Sequence, residues 1–319
     1  MHALLPVFLL VALVEPAAHA QGAYPSRPVR ILASEAGGSV DLVARSLAQR
    51  LSEMWGQGVV VENHGGASGI IYTDAAARAP ADGYTLSVGH TGTLAINPSL
   101  FRKLPYDPLK SFRPVSLVLA TPLIVTVHPA LPAHSMAELI AAARAKPQAL
   151  TFGSAGSGTA SHLAGEWFNE MAKVSTVHVP YRGTAPAITA LVAGDVQFMF
   201  TAQASTASLV RAGKLRALAV TGARRSPEAP DLPTVAETLP GFELVNWQGV
   251  LVPAGTPEAI VAKLNDDIRS ALASASVRKR LTTGGAEIAA DSPAEFGAFI
   301  SAEMTKWAGV IRAAGIKPD

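Results

Sequence analysis

One stretch of the chain, "LTFGSAGSGTASHL" (Leu150–Leu163), places Gly153, Ser154, Gly156, Ser157, Gly158 and Thr159 between an apolar run and an amphipathic one. Small residues let another molecule approach the backbone closely. The first turn of a helix adds unpaired N–H groups and the positive end of its dipole, a seat for an anion. A flexible loop ending in an N-cap is the competing reading of the same residues. Catalytic spacings are absent. No G-x-S-x-G elbow occurs, G-x-x-x-x-G-K-[ST] fails for want of Lys after Gly158, and neither G-x-G-x-x-G nor H-E-x-x-H is found. Of the eight histidines, His90, His162 and His178 could meet in a cleft, but hydrogen-bonded histidine is the commoner use than a metal triad. Ser154 or Ser157 with His162 could serve an exported hydrolase, although a hydroxyl at a helix start ordinarily caps it. The expectation is no catalytic residue, no metal and no cofactor.

The elements that would position this loop alternate regularly. "VRIL" precedes a helical pattern in "DLVARSLAQRLSEMW", then come "VVVEN", "ASGIIYTDAAARA" and "YTLSVGH"; later "LTFGS", "VHVPY", "APAITALVAGD", "VQFMF" and "LRALAVT" repeat the alternation. This β-α-β order predicts parallel sheets covered by helices. The unit occurs twice: "VRILASEAGGSVDLVARSLAQRL" with "VVVEN", and "LTFGSAGSGTASHLAGEWFNEM" with "VHVPY". Two halves whose loops lie beyond the carboxyl ends of their strands would form a cleft between them. Pro114–His128, apolar with Pro122 inside it, and Phe242–Gly255 read as the connections. Thr256-Pro257 and Ser292-Pro293 read as starts of two long C-terminal helices that return to the first half.

The chain has 319 residues, 49% of them hydrophobic, enough for a substantial core. Charged residues are 16%, below the usual ~25%, and the formal net charge is +2. With Arg224-Arg225 and Arg278–Arg280 as its basic runs, the sequence argues against nucleic acid as partner. Ala3–Val14 is apolar but short for a membrane span, and "AHA" at Ala18–Ala20 predicts a signal peptide over residues 1–20, cleaved after about Ala20. Cysteine is absent, which removes disulfides and thiol chemistry and suits a bacterial periplasm.

On the segments "YPSRPVRIL", "AGGSVDLVAR", "VVVENHGGASG", "DGYTLSVGHTGTLAINPSL", "LPYDPLKSFRPVSLV", "GSAGSGTASHL", "VHVPYRGTAPAITALVAGDVQ", "GKLRALAVT" and "LPTVAE", the chain resembles the Bug (TctC-like) extracytoplasmic solute receptors of tripartite tricarboxylate transport systems. The resemblance runs from about Tyr24 to the C-terminus. It implies an α/β, two-lobed type II periplasmic-binding-protein (Venus flytrap) fold, with a hinge between two doubly wound sheets. Lobe 1 would be 24–123 plus 246–319, and lobe 2 would be 124–245. It further implies a monomeric receptor that closes on a small carboxylate and is recognised by membrane permease subunits, or in a sensory variant by a sensor-kinase ectodomain. The implied ligand-binding residues are Glu35, Gly37, Gly38, Ser39, Asp41, His90, Thr91, Ser154, Gly156, Ser157, Thr159, Tyr181 and Thr201. The chain departs from the family pattern at Ser34, where an aromatic wall is lost, at Val40, where a hydroxyl is lost, and at Thr201, where Asp is common. Glu35 adds a charge at the mouth, which either points outward or favours an amino-bearing ligand.

Overall fold

The computed structural model describes residues 24–34, 36–181, 183–282 and 285–316. The expected signal peptide and Glu35 lie outside them. The first half of the chain runs β1 (Val29–Ala33), α1 (Ser39–Trp55), β2 (Val59–Asn63), α2 (Ile70–Ala77), β3 (Thr85–His90), a π turn (Gly92–Ile96) and α3 (Asn97–Leu100). β4 (Phe112–Val127) then leads to α4 (Met136–Ala145), β5 (Thr151–Ser154), α5 (Ala160–Ala172), β6 (Val177–Pro180), α6 (Thr184–Ala193), β7 (Phe198–Ala202), α7 (Gln203–Arg211) and β8 (Arg216–Val220). The return is β9 (Val245–Pro253), α8 (Glu258–Ala273), α9 (Ala275–Leu281), β10 (Glu287–Ile288) and α10 (Pro293–Ala313).

Strand order is β2-β1-β3-β9-β4-β7-β5-β6, with β10 and β8 also pairing β4. The outer strands pair in parallel, as the β-α-β order predicts. The centre differs from that expectation, because β9 and β4 run antiparallel to each other and to their neighbours. They are the two crossings between halves and travel in opposite directions. β4 changes partners at Pro122: Phe112 to Pro122 lie along β9, and Leu123 to Val127 lie along β7 and β8. Thr221 ties the changeover. Its Oγ1 donates to Leu244 O at 2.6 Å and accepts the Leu123 amide at 2.8 Å.

Two large apolar cores follow from this layout. One lies under α1 and α8, where Val43, Leu47, Leu51, Val261, Leu264 and Ile268 are fully buried. The other joins Phe152, Phe168, Phe198 and Phe200 to Trp247 and Trp307. α10 therefore packs on both halves, not on the first alone. Its Trp307 meets Trp167 of α5 edge to face, and its Phe296 meets Trp247 of β9. Buried Glu303 accepts from both indole nitrogens, Trp247 at 2.9 Å and Trp307 at 3.1 Å, and pairs with Lys306. The Ser292 start is a full capping box with Glu295. The Thr256 start is not: α8 begins one residue later, and Thr256 Oγ1 donates instead to Pro253 O at 2.8 Å. Among the described residues no helix is long and apolar enough to cross a membrane.

Candidate functional site

A cavity of about 930 Å³ opens between the two halves, where the carboxyl ends of β1, β3, β5 and β7 converge. That is the position at which open α/β sheets place ligands. The starts of α1, α5, α6 and α7 all border it, through Gly38 and Ser39, Thr159 and Ala160, Thr184, and Ala202 and Ser205. α1, α6 and α7 have no side-chain cap. Their first-turn N–H groups are therefore left to whatever enters the cleft. Among the described residues, no Asp, Glu, Lys or Arg lines the cavity. Among the described residues the single titratable lining group is His90, which burial pushes down to about 4, so the imidazole is neutral. The remaining wall is hydroxyl, carboxamide and apolar, with Leu100, Phe101, Leu123 and Met199 on the apolar side.

The cavity brings together seven of the ligand-binding residues that the resemblance implied: Gly38, Ser39, His90, Thr91, Ser157, Thr159 and Thr201. Ser34 and Val40, which like Thr201 depart from the family pattern, also line it. Five others, Gly37, Asp41, Ser154, Gly156 and Tyr181, are not part of the lining and make hydrogen bonds within the loops around it. The Gly37 amide donates to Asp41 Oδ2 at 2.9 Å, and Arg45 and Asn63 bind the same carboxylate. Burial would raise the Asp41 carboxyl, but these hydrogen bonds outweigh it and keep the group below the usual carboxylate range. Asp41 is thus a strut for the α1 loop. Ser154 is fully buried, its Oγ 2.6 Å from His178 Nε2. Gly156 is a turn residue whose carbonyl accepts from Thr159 Oγ1 at 2.7 Å. Tyr181 donates its amide to Ser154 O at 3.1 Å and lies beside Gly153. Glu35 falls outside the described residues.

The histidines do not form a triad. His162 and His178 stack with centroids 3.9 Å apart, under the loop and against Phe152, whereas His90 stands on β3. Among the described residues no group of three metal-ligating side chains exists. His162 is occupied as a support: Gly158 N–H donates to its Nδ1 at 3.0 Å, and its Nε2 is 3.6 Å from Glu166. The Ser–His contact that does form pairs Ser154 with His178, not His162, and its hydroxyl does not reach the cavity. Gly158 has φ +77°, and a Cβ there would meet Leu100 at 2.8 Å, so this tight turn requires glycine.

Asn246 and Gln248 line the floor and were missed, because "FELVNWQGVLVPAG" reads first as a connection. The signal was present: two carboxamides at alternate positions of an otherwise apolar strand share one face.

Residues 43–316 match the family model described as "Tripartite tricarboxylate transporter family receptor". The chain belongs to this family of receptors. It is 37% identical over 297 residues to protein BugT of Bordetella pertussis, covering 92% of this chain and 91% of that one. A protein of Pseudomonas sp. strain P51, named for the tcbD-tcbE intergenic region, is 38% identical over 292 residues, 91% of this chain and 87% of its own. Among solved structures, an R. palustris protein with adipate superposes with a TM-score of 0.80 at 38% identity, covering 93% of this chain and all of that one. MatC of Rhodopseudomonas palustris, with bound malate, gives 0.75 at 34% identity over 90% of this chain and all of its own. The receptor thus has the two-lobed type II periplasmic-binding-protein fold. It is a solute-binding component of a transport system and not a hydrolase, in keeping with the buried Ser154 hydroxyl.

Proposed function

We propose that this receptor captures a small carboxylate in the cleft between lobes formed by 24–123 with 246–319 and by 124–245. The observation that carries this is the pairing of uncapped helix starts with a wall free of charged side chains among the described residues. Helix N-termini bind an anion through oriented N–H groups without a neutralising cation. The adipate and malate held by the two solved relatives are acids of the size this cavity admits. Export with cleavage after about Ala20, a monomeric state, and delivery of the closed form to membrane permease subunits complete the reading.

A thermal-shift screen tests it. Four- to six-carbon mono-, di- and tricarboxylates are compared with their neutral amides. A ligand that binds only the native state at a hundred times its Kd adds about 2.7 kcal/mol of stability. At least one acid is expected to raise Tm by several degrees while its amide does not. Equal shifts with the amides, or shifts from amines alone, would overturn the carboxylate assignment.

A further inference from the structure

His90 on β3 and Gln248 on β9 stand opposite each other in antiparallel register. Their side chains therefore leave the same face of the sheet, and both line the cleft. Each presents one hydrogen-bonding atom that the described residues do not use. The Gly92 amide donates to His90 Nδ1 at 3.0 Å, so that nitrogen carries no proton. A neutral imidazole then holds its proton on Nε2. Burial keeps the ring neutral, with the group lowered to about 4. Apart from the Gly92 contact, the hydrogen bonds of His90 are made by its backbone with Thr93, so Nε2–H remains an unused donor among the described residues. Gln248 is only 1% exposed. Its Nε2 donates to Ser39 Oγ at 3.4 Å, which turns the carboxamide so that Oε1 is a buried acceptor with no partner among the described residues. An orphaned acceptor of this kind is costly unless something supplies a donor.

We propose that His90 and Gln248 select a ligand bearing a hydroxyl group, with His90 Nε2–H donating to the hydroxyl oxygen and Gln248 Oε1 accepting its proton. The inference rests on the carboxylate reading above and adds to it a second, uncharged point of recognition. A hydroxyl is the smallest ligand group that offers one acceptor and one donor together. A methylene at that place leaves both protein atoms unpaired. An ammonium group sets donor against donor at His90, and no carboxylate among the described lining residues balances its charge. Sites built to hydrogen-bond a ligand hydroxyl reject the analogue that lacks it far more strongly than apolar pockets reject a methylene.

Calorimetric titration of the full receptor with two matched pairs, malate against succinate and 2-hydroxyadipate against adipate, tests the proposal. The wild type is expected to prefer the hydroxylated member of at least one pair tenfold or more. His90→Met and Gln248→Met are expected to reduce that preference below threefold. His90→Gln, which keeps a donor near the place of Nε2, is expected to retain most of it. An absent preference in the wild type, as when a bound water satisfies both atoms, overturns the proposal and leaves the carboxylate reading standing. So does a preference unchanged in both Met variants, or an equal loss of affinity for both members of a pair, which marks the residues as shaping the wall only. Binding of none of the four acids overturns both readings. Long-range proton–nitrogen NMR of the ligand-free receptor supplies a check independent of any ligand: His90 is expected to carry its proton on Nε2 at pH 7, and a proton on Nδ1 overturns the proposal by itself.

Discussion

At the scale of single residues, the histidines divide their work by environment. His178 stacks on His162 and touches Ser154, and burial, reinforced by the His162 neighbour and only partly offset by Glu166, lowers it to about 4. The ordinary value is 6.5. Because the unfolded chain takes up this proton below about 6.5 and the native state resists it until about 4, the unfolded state binds more protons across that window. Stability therefore rises with pH between 4 and 6.5 and is lost on acidification. His90 contributes with the same sign. Thermal denaturation followed from pH 8 to pH 4 is expected to show a level Tm above pH 7 and a fall of several degrees by pH 4.5. His178→Gln, which keeps a hydrogen-bonding group toward Ser154, should make that acid slope shallower. An unchanged slope would show that His178 is not among its causes. Which histidines would touch was not readable from the chain, because it depends on the register of β5 with β6, Phe152 opposite His178, and on where α5 begins.

Elements were more legible than contacts. The alternation of short β-branched runs with amphipathic segments specified β1 to β3 and β5 to β7 with their helices, since each period is fixed by the backbone itself. Ser292 followed by Pro293 marked the start of α10, and the structure adds a capping box with Glu295 there. Thr256 before Pro257 looked equivalent, yet its hydroxyl turned back to Pro253 in the preceding turn. Local residue type alone does not choose between two carbonyl or amide partners that the chain path brings equally near. Pro122 did mark the point where β4 changes partners, but Thr221, which stitches that point, had no signature. Thr221→Val keeps the shape and removes one donor and one acceptor in a fully buried place. Leaving Leu123 N–H and Leu244 C=O short of partners is expected to cost about 1–3 kcal/mol. Urea unfolding should report it as a lower midpoint with an unaltered slope. A midpoint equal to wild type would mean that the changeover is held elsewhere.

At the scale of the whole molecule, β4 passes between the halves at Pro122 and the returning chain enters β9 at Val245 directly opposite, so relative motion of the halves bends both connections at one place. That geometry supports a hinge and not a slide. With saturating ligand, small-angle scattering is expected to show a smaller radius of gyration than the free receptor, and Thr221→Val a weaker dependence on ligand. No compaction with a ligand proven by calorimetry would count against closure. The cleft itself was half legible. Its loops stood out because glycine, serine and threonine gather there, as Gly38, Ser39, Ser157 and Thr159 show. The floor formed by Asn246 and Gln248 did not, since the cavity above those two positions comes from the packing of both halves. The reach of α10 across the halves was hidden for a related reason: an apolar stripe says that a helix is covered, but not by what.

Ile316, just beyond α10, lines the cleft, and its amide is held by Ile311 O at 3.1 Å. The chain has no cysteine of its own. Ile316→Cys therefore creates a single point of chemical attachment beside the ligand, with no competing thiol to block. An environment-sensitive dye placed there would change its emission as the cleft fills, which turns the receptor into a reagentless optical sensor for its own solute.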